Sequence, residues 1–235
     1  MDTGEAPKRV RVAPSLLSAD FGELARALAT ADEAPADLVH LDVMDGSFVG
    51  EITFGAKLVA DLRPRSRLPF DVHLMVREPA RHVKRFADAG ADLVTVHLEA
   101  CRDAGDDPRA LLQAIRDCGT RAGIAVSPPT PAAALEPVLD VIDVALIMTV
   151  HPGAGGQELI PACLDKAREL AERRHRAGRS FWISTDGGLH RGNVGSAVAA
   201  GIDIAVIGSA IWRASVPADE IRAIRSALGA PAGSA

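Results

Sequence analysis

Short apolar runs alternate with helix-length amphipathic stretches along almost the whole sequence, and this alternation restricts the fold more than any other feature. The predicted strands are Val10–Ala13, Leu38–Val43, Phe70–Met75, Leu93–Leu98, Arg121–Val126, Val144–Val150, Phe181–Thr185 and Ile204–Ile207. The predicted helices are Phe21–Asp32, Ala56–Leu62, Ala80–Ala89, Pro108–Asp117, Pro131–Leu139, Pro161–Arg176, Arg191–Ala199 and Ala218–Ala227. Strands that alternate with helices form a parallel sheet, and eight such units favour an α/β fold that closes into a single TIM (β/α)8 barrel.

No linker divides the chain, so we predict one catalytic barrel domain over residues 10–228. Residues 1–9 are predicted to be an N-terminal extension, and the Ala/Gly/Pro/Ser-rich residues 229–235 a flexible tail. The chain has 235 residues, of which 48% are apolar, so it can bury a core of the size that such a barrel needs, since about 250 residues are typical.

The composition argues against a nucleic-acid or a membrane partner. A net charge of −5, with 3% aromatic residues and no Tyr, predicts neither a basic face nor a base-stacking platform. The segment Val194–Trp212 carries one charge, but its glycines and its change of period predict a helix end, a turn and a buried strand. The three cysteines form no C-x-x-C pair and predict no disulfide framework or thiolate metal site, so we expect a cytoplasmic protein.

Histidines and aspartates lie at the ends of three predicted strands, where barrel enzymes place their functional residues. His40 and Asp42 end the second strand, His73 the third and Asp186 the seventh. Residues i and i+2 of a strand share a face, so His40 and Asp42 point the same way. One such histidine alone is more often a polar rim residue, but the four together predict a site for one divalent ion, with Zn²⁺, Fe²⁺, Mn²⁺ and Co²⁺ all suited to mixed N/O ligands.

Other ionisable residues near these strand ends are interpreted as structural. Asp45 precedes a glycine and is predicted to be a turn residue, while Asp71 is predicted to alternate away from His73 if the strand is regular. His97 and Glu99, at the end of the fourth strand, could form a second acid/base pair, but we interpret them as a rim or core feature.

Glycine-rich stretches follow three neighbouring strands and predict a phosphate site. Backbone N–H groups in such loops, together with a short helix N-terminus, form the usual phosphate cradle of a barrel. The glycines of a single cluster could serve only to form a turn, whereas three glycine clusters on adjacent loops favour phosphate binding. The residues are Gly153, Gly155, Gly156, Gly187, Gly188, Gly208 and Ser209.

Three methionines, Met44, Met75 and Met148, lie at the ends of the second, third and sixth strands. Filling the core is the usual role of Met. The alternative is a polarisable lining around a charge-delocalised intermediate, and the residues alone leave both interpretations open.

Together these motifs resemble the ribulose-phosphate 3-epimerase family over about residues 10–213. The resemblance implies a metal-dependent enzyme of the pentose phosphate pathway that interconverts D-ribulose 5-phosphate and D-xylulose 5-phosphate by inversion at C3 through an enediolate. Its partner would be a phosphorylated ketose, and we expect a homo-oligomer. The matching stretches are Ala13–Phe21, His40–Val49, Asp71–Met75, Pro152–Gly153, Gly155–Gln157, Asp186–Gly188 and Gly208–Ile211.

The resemblance also implies roles for individual residues. His40, Asp42, His73 and Asp186 would hold the metal ion, and the two aspartates would be the catalytic acid/base pair. Ser15, His73 and Asp186 would contact the substrate, the three methionines would line the reaction centre, and the glycine loops, with Ala154 and Ser209, would bind the rest of the substrate.

The departures from the family pattern cluster in loops that would face the substrate. Gly50-Glu51 replaces a usual Pro-Asn, His151 replaces Asn, Ala154 replaces Phe, and Ser184-Thr185 replaces Glu-Val. The type of reaction is therefore predicted more firmly than the identity of the ketose substrate.

Three alternatives to the pentulose epimerase stay open. The first is a 3-epimerase of another ketose phosphate, such as allulose 6-phosphate or a sugar phosphate of specialised metabolism. The second is a lyase, which would more often need a lysine at the site, whereas Lys57, Lys84 and Lys166 are predicted on helices. The third is a non-catalytic sugar-phosphate-binding barrel, against which the intact aspartates and histidines argue.

Overall fold

Eight parallel strands form a nearly closed barrel in the computed structural model, which describes residues 9–229. The predicted N-terminal extension and C-terminal tail lie outside the described residues at 1–8 and 230–235. The strands pair in the order β1-β8-β7-β6-β5-β4-β3-β2, and a parallel bridge between Ser15 and His40 joins the two ends. The strands are β1 (Arg11–Pro14), β2 (Val39–Met44), β3 (Phe70–Met75), β4 (Leu93–His97), β5 (Arg121–Val126), β6 (Val144–Met148), β7 (Trp182–Asp186) and β8 (Ile204–Ile207).

Helices lie between the strands and after the last of them, as the alternation of sequence periods predicts. The α-helices are α1 (Leu24–Glu33), α2 (Ala56–Leu62), α3 (Val83–Asp88), α4 (Leu98–Ala104), α5 (Pro108–Asp117), α6 (Cys163–Ala177), α7 (Val194–Ala199), α8 (Ser209–Trp212) and α9 (Pro217–Gly229). Shorter 3-10 helices occupy Leu16–Ser18, Phe21–Glu23, Arg63–Arg65, Pro79–Arg81 and Ala132–Val138.

The connection between β5 and β6 differs from the prediction of an α-helix over Pro131–Leu139. It is a 3-10 helix, Ala132–Val138, with Pro137 inside it. Proline has no N–H and its ring clashes with the preceding turn, so a regular α-helix cannot run through this position. Helices α4 and α8 were not predicted, because each begins directly where a strand pattern ends and is only one or two turns long.

An apolar floor closes the barrel beneath the polar strand ends. Trp182, Leu93, Val144 and Ile204 are the first residues of their strands, and they pack into one buried cluster with Ala13, Leu38 and Val206. Since alternate residues of a strand share a face, Leu38 lies on the same face as His40 and Asp42. The floor therefore sits directly below the histidines and aspartates of the site.

The weakly charged segment Val194–Trp212 folds as α7, a turn, β8 and α8, which confirms its interpretation as a helix end and a buried strand. Within residues 9–229, no helix has both the length and the apolar character needed to cross a membrane.

Candidate active site

His40, Asp42, His73 and Asp186 converge at the carboxyl ends of β2, β3 and β7. One ligand atom from each of the four lies within 4.8 Å of the others. The Nε2 atom of His40 is 3.2 Å from Oδ1 of Asp42 and 4.0 Å from Oδ2 of Asp186, and Nδ1 of His73 is 3.1 Å from the same Asp42 oxygen. Two imidazole nitrogens and two carboxylate oxygens at one buried point form a group that could hold a divalent ion.

Strand register brings these residues together. Asp42 of β2 pairs with His73 of β3, and His40 pairs with Asp71 two residues earlier. Because all four lie on the same face of their strands, the side chains meet inside the barrel mouth. The i and i+2 spacing of His40 and Asp42 is visible in the sequence, but the cluster forms only when β2 and β3 pair in this register.

Asp71 does not point away from the site, and that prediction was wrong. Residues 71 and 73 are two apart on a regular strand, so they share a face. Oδ2 of Asp71 accepts a hydrogen bond from Nδ1 of His40 at 2.8 Å, in a buried environment. The bond leaves Nε2 of His40 as the ring nitrogen that faces Asp42 and Asp186.

His97 and Glu99 also reach the cluster, through the far side of His73. The Nε2 atoms of His73 and His97 lie 2.9 Å apart, and Nδ1 of His97 lies 3.2 Å from Oε2 of Glu99. Both histidines are fully buried, so the interpretation of His97 as a core feature agrees with its burial but overlooked its contact with His73. Leu93, Thr95 and His97 alternate along β4 and so share one of its faces, and this spacing is the sequence signal that could have indicated the contact.

The environment drives the ionisation of the two aspartates in opposite directions. Burial opposes the ionisation of Asp42, but the charge and the hydrogen bond of His40, with a smaller contribution from His73, hold the pKa of Asp42 well below its ordinary value. Burial, followed by the negative charge of Asp42, raises the pKa of Asp186 to about 7, and His40 opposes this effect only in part. Two nearby carboxyl groups whose pKa values are pushed apart are the usual arrangement of an acid and a base.

The pKa values of His97 and Glu99 are both low. Burial lowers the pKa of His97 to about 4, although its hydrogen bond to Glu99 acts in the other direction. Burial alone would raise the pKa of Glu99, but hydrogen bonds from His97, Thr130 and the Ser127 N–H outweigh it, and the pKa falls to about 2. At neutral pH, His97 is a neutral imidazole and Glu99 a carboxylate.

Ser15 lies at the closure of the barrel and contacts the site directly. Its hydroxyl donates to Oδ2 of Asp42 at 2.6 Å, and Nε2 of His40 lies 3.2 Å from Oδ1, so both oxygens of that carboxylate have a partner. Nε1 of Trp212 donates to the backbone oxygen of Ser15 at 2.6 Å, which ties the loop after β1 to α8. Ser15 and Asp42 thus line the same cavity.

The three methionines are buried, and all of them line the cavity that opens over the cluster. Met44 pairs with Met75 across β2 and β3, and Met148 pairs with Asp186 across β6 and β7. The two interpretations of these residues do not exclude one another, because the same thioether side chains fill the core and form the cavity wall.

The glycine loops after β6, β7 and β8 line the same cavity as the two aspartates. Gly188 has a φ of +68°, and a Cβ atom added to it would lie 2.2 Å from the backbone nitrogen of Leu159. Ser18, which was not predicted as a site residue, packs between two of the loops: its Oγ lies 2.8 and 3.0 Å from a Cβ added at Gly155 and Gly208. The predicted loop residues in the cavity wall are Gly153, Ala154, Gly155, Gly156, Gly187, Gly188, Gly208 and Ser209.

The departures from the family pattern do not all face the cavity. His151 and Ala154 line it, whereas Gly50 and Glu51 are absent from its wall. The backbone oxygen of Glu51 accepts from the Gly46 N–H at 2.8 Å, so this segment forms the turn after β2.

The three lysines predicted on helices do not line the cavity. Lys57 and Lys84 lie on α2 and α3 and pair with the aspartates four residues later, while Lys166 on α6 donates to backbone oxygens of the loop after β5. Their positions agree with the expectation that argued against a lyase.

Comparison with known proteins gives matches over nearly the whole described chain. The model of the "Ribulose-phosphate 3 epimerase family" matches residues 11–212. Ribulose-phosphate 3-epimerase from Treponema pallidum is 48% identical over 201 residues, which cover 86% of this chain and 90% of the relative. The protein of the same name from Synechocystis is 44% identical over 219 residues, covering 93% of this chain and 94% of that relative.

Solved structures share the fold at much lower identity. KGPDC from Streptococcus mutans superposes with a TM-score of 0.71 at 19% identity, covering 94% of this chain and 98% of that one. A 3-hexulose-6-phosphate synthase from Salmonella typhimurium gives a TM-score of 0.63 at 18% identity over 94% and 98% of the two chains. These likenesses concern the TIM-barrel architecture alone.

Proposed function

Because the chain belongs to the ribulose-phosphate 3-epimerase family, we propose that it inverts C3 of a ketose 5-phosphate, interconverting D-ribulose 5-phosphate and D-xylulose 5-phosphate through an enediolate. The observation that carries the proposal is the pair of carboxyl groups, Asp42 and Asp186, which face one cavity with oppositely shifted pKa values.

The reaction removes a proton beside a ketone from one face and returns one on the other, so it needs an acid/base group on each side. Asp42 is on β2 and Asp186 on β7, and β1 and β8 separate these strands in the barrel. The carboxyl groups therefore enter the cavity from different parts of its rim. With Asp42 ionised and Asp186 protonated, one can accept a proton while the other supplies one.

A divalent metal ion fits the four residues that would hold it, His40, Asp42, His73 and Asp186. The fit rests on the donor set: Nε2 of His40 and Nδ1 of His73 lie 3.4 Å apart, facing each other beside a carboxylate oxygen, while Asp71 and His97 occupy the opposite ring nitrogens. When bound, such an ion would act as a Lewis acid that stabilises negative charge on an enediolate oxygen. Zn²⁺, Fe²⁺, Mn²⁺ and Co²⁺ all suit this donor set.

The glycine loops would bind the phosphate of the ketose through their backbone N–H groups. They adjoin Asp42 and Asp186 in one cavity, so a sugar phosphate held there would present its carbon chain to the carboxyl groups. Ser15 and the three methionines would surround the reacting carbons.

A second candidate keeps the chemistry and changes the ketose. Ala154 lines the cavity where the family pattern has Phe, so the space over the sugar is wider and could accept a hexulose phosphate such as allulose 6-phosphate. In either case the enzyme would act in the cytoplasm on a phosphorylated sugar, in the pentose phosphate pathway if the pentulose is the substrate, and we propose that it works as a homo-oligomer.

Incubation of the metal-loaded protein with pentulose and hexulose phosphates in D₂O tests the function. We expect deuterium at C3 of ribulose 5-phosphate and conversion to xylulose 5-phosphate, both followed by NMR. Failure to exchange C3 of any ketose phosphate would rule out the epimerase, and faster turnover of the hexulose would favour the second candidate.

Elemental analysis tests the metal separately. The wild type should carry about one divalent ion per chain, and His73→Ala much less, because one of the two imidazole ligands is lost. Full activity of the wild type after stringent chelation would contradict the metal assignment.

A further inference from the structure

Beyond the four proposed ligands, a buried chain of hydrogen-bonding groups runs from His73 to Glu99. Nε2 of His73 lies 2.9 Å from Nε2 of His97, and Nδ1 of His97 lies 3.2 Å from Oε2 of Glu99. The imidazole rings of His73 and His97 meet edge to edge, with centroids 5.0 Å apart and planes 24° apart, and Phe48 packs on His97 with centroids 4.9 Å apart. Neither histidine is exposed to solvent, so each ring nitrogen depends on a protein partner.

The carboxylate at the end of the chain dictates where each proton sits. A carboxylate only accepts hydrogen bonds, so Nδ1 of His97 must carry the proton in its contact with Glu99. A neutral imidazole has one N–H, which makes Nε2 of His97 an acceptor. Nε2 of His73 must then be the donor in the contact between the two histidines. The Nδ1 atom of His73 is left with its lone pair, directed at the cluster of His40 and Asp42.

The reverse arrangement of protons on the two histidines is unfavourable at Glu99. If Nδ1 of His73 carried the proton and donated to Asp42, then Nε2 of His73 would have to accept from His97. The Nδ1 atom of His97 would then present a lone pair to the Glu99 carboxylate at 3.2 Å, and two acceptors would face each other in a buried region. The first arrangement satisfies every ring nitrogen between His73 and Glu99, and it leaves only Nδ1 of His73 facing the Asp42 carboxylate, at 3.1 Å, in the space that a bound cation would occupy.

Glu99 is itself held firmly in place. Its Oε1 accepts from the N–H of Ser127 at 2.8 Å and from the hydroxyl of Thr130. The ammonium group of Lys166 donates to the backbone oxygens of Ser127, Pro128 and Thr130 at 2.9, 2.7 and 2.6 Å, so the loop that anchors Glu99 is fixed from its other side.

We propose that His97 and Glu99 are positioning residues that keep the lone pair of His73 on Nδ1, the atom that faces the metal site. The proposal rests on the proposed metal-dependent function, and it assigns these residues no contact with substrate. Outer partners of this kind fix the tautomer and the orientation of a ligating imidazole, and their loss typically weakens metal binding by about 10- to 100-fold.

The test compares Glu99→Gln with Glu136→Gln, which removes the same charge from an exposed residue paired with Arg173. An amide cannot accept from His97 on one atom and from Ser127 on the other, because one of these atoms becomes an NH₂ donor. We expect the Kd for Co²⁺, measured by chelator competition on the metal-stripped proteins, to rise about 10- to 100-fold in Glu99→Gln and to be unchanged in Glu136→Gln. His97→Phe, which removes the acceptor of His73, should weaken binding at least as much.

A second measurement does not require any variant to fold. In ¹⁵N-histidine NMR spectra of the Zn²⁺-loaded wild type, His97 should be protonated on Nδ1 and not on Nε2. Protonation of His97 on Nε2, or an unchanged Kd in a folded Glu99→Gln, would overturn the proposal. Neither measurement uses substrate, so a failure of the epimerase assignment would show only in the D₂O experiment.

The kinetic expectation separates positioning from structural damage. With limiting metal, kcat of Glu99→Gln should fall, and it should recover towards the wild-type value as Co²⁺ is raised to saturation, with the KM for the ketose phosphate unchanged. A loss of kcat that saturating Co²⁺ does not restore would mean that Glu99 acts in some way other than through the metal site.

Discussion

Nδ1 of His40 and Oδ2 of Asp71 are joined by a 2.8 Å hydrogen bond between the paired residues of two neighbouring strands. Both side chains are buried, so no water competes for the bond. It holds the ring of His40 with Nε2 directed at Asp42 and Asp186. Asp71 thus relates to His40 as His97 relates to His73, and each proposed imidazole ligand has a protein partner on its opposite nitrogen.

We expect Asp71→Ala to weaken binding of a divalent ion by about 10- to 100-fold, because His40 loses the acceptor that fixes its tautomer. Asp71→Asn should weaken it less, since its side-chain oxygen can still accept from Nδ1. Chelator competition with Co²⁺ measures both constants. Asp61→Asn, in the exposed pair with Lys57, is the control, and equal affinities in all four proteins would contradict the role of Asp71.

Asp42→Asn and Asp186→Asn should each lose roughly 10²- to 10⁴-fold in turnover, because an amide cannot transfer the proton. Asp186→Asn should keep exchange of the substrate hydrogen with D₂O on one face only, so exchange would exceed epimerisation. Both rates are read from the same NMR experiment at saturating metal. Asp140→Asn, exposed and paired with Arg109, should behave as the wild type. Normal epimerisation by both site variants would refute the acid/base assignment.

Gly188→Ala should damage the phosphate cradle without affecting metal binding. The new Cβ would lie 2.2 Å from the backbone nitrogen of Leu159, at a φ of +68°, so the loop after β7 must shift. We expect KM for the ketose phosphate to rise by roughly tenfold or more, equivalent to about 1.4 kcal/mol of binding energy. Gly195→Ala on α7, where an added Cβ meets nothing within 4 Å, is the matched control. An unchanged KM in Gly188→Ala would argue against this loop as a phosphate site.

Ala154→Phe should narrow the cavity and favour the smaller ketose. An apolar contact around the sugar carbons is worth about 1–3 kcal/mol of discrimination, so the ratio of kcat/KM for pentulose over hexulose phosphate should rise by about 10- to 200-fold. Ala154→Ser adds no comparable bulk and should leave the ratio as it is. If the wild type already prefers the pentulose strongly and Ala154→Phe leaves the ratio unchanged, then Ala154 does not set the specificity.

The stability of the metal-stripped protein should depend on pH through Asp186. Its pKa is raised to about 7, above the 3.8 of an unperturbed aspartate, so between these values the folded state holds a proton that the unfolded state releases. The free energy of unfolding contributed by this group therefore falls as pH rises from about 4 to 7, by at most about 1.4 kcal/mol per pH unit.

Urea unfolding at several pH values isolates this effect when wild type and Asp186→Asn are compared. His73 and His97, whose pKa values are lowered, contribute the opposite slope below pH 6.5 in both proteins, and the difference between the proteins removes most of it. A difference that does not change with pH would contradict the raised pKa of Asp186.

Local sequence patterns were sufficient for the barrel itself. The predicted bounds of β3, β5 and β8 match the structure, because each is a run of mostly apolar residues that the barrel buries between its layers. The connection Ala132–Val138 shows the limit, since Pro137 excludes the α-helix that its apolar spacing suggested.

The sequence by itself also determined which residues could bind a metal ion: His40, Asp42, His73 and Asp186 are recognisable because functional groups of a barrel follow its strands. Only the tertiary structure decided which groups support them. Asp71 meets His40 and His97 meets His73 because neighbouring strands pair in one particular register and the barrel closes around their shared face. Those contacts join residues 24 and 31 positions apart, and a contact between strands depends on the register and curvature of the whole sheet, which no local pattern of residues encodes.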